Sequence, residues 1–354
     1  MDQSLLNDLL YTVSVSGNEE PNQRLVLQYC STFADSIRTD AVGNVISVVN
    51  PDSECRILLC GHIDEIGFRV TSIDKNGFIH IQKTGGVKPK LYIGSPMQIL
   101  HETVENGIPV YRKVAAVCAV VDDLLKKEEV RASDLVIDIG AASKEEAMAV
   151  VSVGDSVCAD TTVRTLLGDF ITCRALDDKA GVFTILEAAR RAKERGSANG
   201  IYTAVTVGEE TTERGAYFAA AAVNPMCAVI VDVTWSSDCP GTVSAETGDI
   251  RLGAGPVLCR GGRVSKPLNR LLEQIAAAKK IPLQYEVAGG DTYTDGDTVM
   301  FTGAGIPIAL VSIPLRYMHS SVEVASKRDI EQAIELISTF LCRISTDTCL
   351  LPLI

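Results

Sequence analysis

The sequence predicts an α/β fold in which a mixed sheet is sandwiched by helices, with a small β-barrel-like domain inserted into it. Two textures point that way. Apolar strand-like runs alternate with helical patterns towards both ends of the chain, as in an α/β layer. Between about Arg69 and Val163 the chain instead shows short β-like runs separated by turns. A third observation is where ionisable side chains fall: short acidic or histidine-bearing clusters follow directly on the apolar runs, at what would be strand ends.

Helical patterns are expected around Ser4–Val13 and Glu20–Phe33, then strands near Asn44–Val49 and Ile57–Gly61. Within the β segment, strands are expected at Phe78–Gln82, Pro96–Leu100, Leu135–Ile139 and Ser156–Cys158. Lys75-Asn76-Gly77 and Glu105-Asn106-Gly107 are turn signals between such runs. Ser143 and Glu146 are spaced as a capping box for a short helix. After Asp177 the alternation resumes, with helices at Asp178–Arg195, Gly215–Val223, Ser265–Lys280 and Ile330–Cys342. Strands are expected at Ile201–Val207, Ala228–Val231 and Ile308–Ile313. The implied organisation is 1–68 for the first part of an α/β catalytic domain, 69–163 for the insertion and 164–354 for the second part.

A chain of 354 residues exceeds one comfortable core. Its net charge of −12, without a basic run, argues against nucleic acid or an anionic membrane as partner. Eleven cysteines, odd in number and without a Cys-x-x-Cys pair, read as buried free thiols in a reducing cytoplasm. Met1-Asp2-Gln3 is not a basic leader, and apolar stretches such as Val114–Val121 are far below the ~18 residues of a span. A soluble, cytoplasmic protein is expected.

The clusters carry the chemistry. They are Gly61-His62-Ile63-Asp64-Glu65, Ala175-Leu176-Asp177-Asp178-Lys179, Gly208-Glu209-Glu210 and Met318-His319-Ser320-Ser321, with Asp232 as a fifth element. Sites in open α/β sheets form at the carboxyl ends of strands, and carboxylates with imidazoles are ligands of divalent metals. Asp177 and Asp178 also suit a helix N-terminus as capping charges. Taken together, the residues suit a pair of metal ions. Asp177 suits the bridge, His62 and Asp232 one ion, Glu210 and His319 the other. Glu209 is left over as a general base, and Asp64 is placed to accept the second N–H of His62. His80 and His101 read as ordinary surface or packing residues. Gly85-Gly86 reads as a turn, and Gly289-Gly290-Asp291-Thr292 as a turn or a close approach to substrate.

These residues resemble the glutamyl, deblocking and tetrahedral-type dinuclear metal aminopeptidases, metallopeptidase family 42. The resemblance lies in His62-Ile63-Asp64-Glu65-Ile66-Gly67-Phe68, Ala175-Leu176-Asp177-Asp178-Lys179-Ala180-Gly181 and Glu209-Glu210 with Arg214-Gly215-Ala216. It continues in Val231-Asp232-Val233-Thr234, Arg316-Tyr317-Met318-His319-Ser320 and Asp134–Ala141. It implies a sandwich of the zinc-aminopeptidase type, zinc or cobalt as cofactor, and the ligand and base assignments already stated. It also implies a homo-oligomer, commonly a dodecamer, assembled through the inserted domain. The chain departs from the family at Thr211-Thr212-Glu213, where Val-Gly-Leu is usual, at Gly296-Asp297 and at Ala254; these departures bear on specificity. The expected function is removal of N-terminal residues from short peptides. The alternatives are a deacylase or dipeptidase of the same fold, and a glycoside hydrolase (endoglucanase), which needs only two carboxylates and no metal.

Overall fold

A mixed sheet runs through the α/β part of the computed structural model, which describes residues 3–242 and 248–353. Met1 and Asp2, part of the stretch read above as not a leader, lie outside the described residues. The centre of the sheet is parallel. Gly200–Thr206, Arg56–His62, Cys227–Trp235 and Ile308–Arg316 lie side by side in that order. They are buried almost throughout, which is why each reads as an apolar run rather than an alternation. Antiparallel strands extend both sides. Val45–Val49 and Ser36–Thr39 flank one, and Glu323–Ser326, Phe170–Cys173 and Arg164–Thr165 the other. Val257–Gly261 also pairs with Ile308–Arg316 and carries Gln284–Ala288.

Helices cover both faces. Leu176–Glu194, Lys266–Lys279, Lys327–Arg343 and Gln3–Tyr11 contribute to the larger core, and Arg214–Val223 packs in the other. Lys327–Arg343 shows why such a stretch is helical. The Ser326 hydroxyl accepts from the N–H groups of Arg328 and Asp329, and Ile330, Ile334, Ile337 and Leu341 form one buried stripe.

Between Arg56–His62 and Phe170–Cys173 the chain builds a closed barrel, in the strand order Gly67–Ile73, Ile79–Thr84, Val136–Asp138, Ile108–Cys118, Pro96–Glu105 and Ser156–Ala159. Phe68, Ile81, Met97, Ile99, Ile137 and Val157 fill it. Its long hairpin turns on Asn106-Gly107, both with positive φ (53° and 79°), the geometry of a two-residue loop whose twist suits the flanking strands. The short helix Lys144–Met148 starts at Ser143, whose hydroxyl accepts from Glu146 N–H; the Glu146 carboxylate accepts from Ala142 N–H rather than from Ser143.

All eleven cysteines are free. Eight are buried as expected and Cys239 is half-buried, whereas Cys342, in the last turn of the closing helix, and Cys349, beyond its end, are exposed. Among the described residues no helix is long and apolar enough to cross a membrane.

Candidate metal centre

The parallel register brings the predicted residues to one edge of the sheet. His62 closes its strand, and Gly208-Glu209-Glu210 follows the neighbouring one in a short turn. Asp232 lies within Cys227–Trp235 rather than at its end, level with Ser312. Asp177 opens the helix Leu176–Glu194, and His319 follows Ile308–Arg316 with φ 62°.

Asp177 stands at the middle. Its Oδ1 is 3.2 Å from His62 Nε2, and its Oδ2 is 3.2 Å from His319 Nε2. Around His62 Nε2 lie Glu209 Oε2 at 3.7 Å and Asp232 Oδ1 at 3.9 Å; around His319 Nε2 lies Glu210 Oε1 at 3.6 Å. The donor atoms thus fall into two sets, His62 with Glu209 and Asp232, and Asp177 with Glu210 and His319, each within 4.8 Å of one another.

This donor set fits divalent cations in chemistry and spacing. Metal bonds of ~2.0–2.1 Å in a tetrahedral shell put ligand atoms roughly 3.3 Å apart, close to the separations about Asp177. Charge points the same way. Burial pushes Asp232, Glu210 and Glu209 above the usual carboxylate range, Glu209 to about 11, and their mutual repulsion adds to it. Burial would raise Asp177 too, but the imidazoles of His319 and His62 reverse the sign and hold it below. Four buried carboxylates against two imidazoles leave an excess of negative charge that cations would offset.

A second layer of carboxylates fixes the backbone of the first. Both oxygens of Asp64 accept main-chain N–H bonds, from Glu209 at 3.1 Å and Glu210 at 3.2 Å. His62 Nδ1 faces the Asp64 carbonyl oxygen at 3.0 Å and Asp64 Oδ1 at 3.6 Å. Asp178 accepts from His62 N–H at 3.3 Å. Glu323 accepts from Asp177 N–H at 3.2 Å and His319 N–H at 2.9 Å. Nothing in the sequence marks Glu323, an ordinary glutamate in a short strand. Below this layer Glu65 binds Arg174 and Lys179 in a fully buried ion group.

The barrel also reaches the centre, which its distance in sequence conceals. A Cβ at Gly86 would stand 2.7 Å from His319 Nδ1, and one at Gly85 would stand 3.3 Å from Glu210 Oε2. Gly85-Gly86 is therefore a close approach as well as a turn. His80 and His101 stand apart from the centre; His101 Nδ1 is 2.7 Å from Asp155.

A cavity of about 740 Å³ opens over these side chains, with Trp235, Glu286 and the Gly289–Thr294 segment in its wall. Such a donor set, beneath a cavity at the carboxyl ends of parallel strands, fits a metal-dependent hydrolase. A family model described as M42 glutamyl aminopeptidase matches residues 43–336, and the chain belongs to that family. A lysyl aminopeptidase of Pyrococcus furiosus is 30% identical over 354 residues, covering 96% of this chain and 97% of its own. The solved TET aminopeptidase of a marine-sediment thaumarchaeon has a TM-score of 0.88 at 31% identity, covering 98% of this chain and 97% of its own. The TET1 peptidase of Pyrococcus horikoshii, which can assemble into a tetrahedron or a large octahedral shell, has a TM-score of 0.82 at 30% identity, covering 96% and 99%. The resemblance, the α/β sandwich with its barrel, and the aminopeptidase class all stand.

Proposed function

We propose that this aminopeptidase uses two divalent ions, zinc or cobalt, to remove N-terminal residues from short peptides. His62 and Asp232 would hold one ion, Glu210 and His319 the other, with Asp177 between them. The single observation that carries this reading is the division of the Asp177 oxygens between two imidazoles at equal distance. When bound, the ions would supply Lewis acidity to the scissile carbonyl and to a water at the site. The chain supplies the proton transfers. Glu209 lies beside His62 and Asp232, but His62, Asp232 and Asp177 would already make three ligands, the number that leaves a position open for water. With the charge of bound ions offsetting the upward push on it, the Glu209 carboxylate would take the proton from that water and return it to the leaving amine. Asp64 keeps Glu209 and Glu210 in register through their main-chain N–H groups. The carboxylates lining the cavity receive the substrate's free α-amine.

That requirement gives the test. Aminoacyl-anilides with a free α-amine are expected to be hydrolysed and their N-acetylated counterparts left intact. Equal turnover of both would replace the aminopeptidase assignment with a deacylase.

Residues 69–163 form a unit that assembles copies of the chain, a dodecamer being the arrangement we favour. Val104, Ile108, Val120 and Val153 are 66%, 58%, 63% and 69% exposed in the monomer, and symmetric assembly is one way to cover such side chains. Light scattering is expected to give a mass many times 37.8 kDa; an active protein that stays monomeric at micromolar concentration contradicts this role. Eleven unpaired thiols fit a reducing compartment, and we place the enzyme in the cytoplasm.

A further inference from the structure

Beyond the two metal clusters, the carboxylate of Glu286 lines the catalytic cavity with no ion-pair partner among the described residues. Glu286 lies on the strand Gln284–Ala288 and accepts hydrogen bonds from Thr234 Oγ1 and, at 2.7 Å, from Ser312 Oγ. Both hydroxyls also line the cavity. Burial pushes Glu286 above the usual carboxylate range and the two hydroxyl donors oppose that push; lone pairs of its ionised form stay free for a cationic partner, and among the described residues no lysine or arginine lines the cavity. Arg263, nearby, is already paired with Asp291 and Asp297. Glu213 adds a further carboxylate to the wall.

The register gives the reach. Ser312 lies level with Asp232 on the adjacent strand, and neighbouring strands are ~4.8 Å apart. Thr234 is two residues beyond Asp232 and on the same face, a step of roughly 7 Å. A carboxylate bonded to both is therefore about one long side chain away from the metal-ligating Asp232. An N-terminal residue bound at the centre with a flexible four-carbon stem can set its ammonium there.

We propose that Glu286 is a specificity-determining residue, and that the enzyme prefers peptides whose N-terminal side chain is cationic, lysine or arginine, and rejects acidic ones. The inference rests on the aminopeptidase reading and narrows it. Removing a buried partner of a charged group costs affinity steeply, and an unpaired or like charge in the same place is excluded.

The test compares lysyl-, arginyl-, leucyl- and glutamyl-p-nitroanilide on the metal-loaded, full-length enzyme and on Glu286→Gln and Glu286→Lys. In the wild type, kcat/KM is expected to rank lysyl and arginyl at least about tenfold above leucyl, with glutamyl lowest. Glu286→Gln should lower the lysyl-to-leucyl ratio by about tenfold or more, chiefly through KM, and Glu286→Lys should place glutamyl above lysyl. A binding readout accompanies it: lysinamide should raise the thermal midpoint of the wild type more than leucinamide does, and Glu286→Gln should remove the difference. A wild type that favours glutamyl over lysyl substrate, or a ratio unchanged in Glu286→Gln, overturns the assignment. Failure of the wild type on all four anilides sinks the aminopeptidase reading itself and this one with it.

Discussion

Glu209→Gln is expected to retain both metal ions and to lose turnover by on the order of 10²–10⁴-fold, the usual cost of removing a general base. The amide keeps the shape of the side chain, and the main-chain bonds from Glu209 and Glu210 to Asp64 are untouched by the change. The variant also separates two roles that geometry alone leaves side by side, since Glu209 Oε2 lies within 4.8 Å of the His62 and Asp232 donors. Loss of an ion along with activity would make Glu209 a ligand. Near wild-type turnover with full metal content would remove it from the chemistry.

Asp177→Asn is expected to be still more damaging, because the residue serves both halves of the centre. One carboxylate oxygen faces His62 and the other His319, whereas an amide offers a single oxygen and no charge. Both ions should bind more weakly and turnover should fall at least as far as in Glu209→Gln, on the order of 10⁴-fold. The substitution is nearly isosteric and the Asp177 N–H bond to Glu323 remains, so the fold should persist. Retained tight binding of two ions in this variant, measured by competition with a chromophoric chelator, would place the bridge elsewhere.

Much of this was legible from residue pattern. Buried parallel strands such as Arg56–His62 and Gly200–Thr206 are unbroken apolar runs, and the clusters following them follow the rule that α/β sites form at strand ends. What escaped lacked such a signature. Gly67–Ile73 and Ile108–Cys118 carry charged and polar residues on their open faces, which breaks up the apolar pattern of a strand. Ser36–Thr39, Phe170–Cys173 and Glu323–Ser326 are four-residue strands, too short for periodicity to register. At the site, the five metal-type side chains stood out because each type is a metal donor. Glu323 and Gly86 did not, because one acts by accepting main-chain N–H bonds and the other by lacking a side chain. Neither property leaves a mark on a single sequence. Glu286 is similar: a glutamate in an ordinary strand becomes distinctive only once Thr234 and Ser312 surround it in a cavity that no lysine or arginine lines among the described residues.

If two ions share Asp177, with His62 on one side and His319 on the other, each imidazole serves a different ion. Elemental analysis of purified His62→Ala and His319→Ala beside the wild type tests it most directly. Two ions per wild-type subunit and about one in each variant, with turnover lost in both, is the predicted result. Two fully retained ions in either variant, or a single ion in the active wild type, would contradict it.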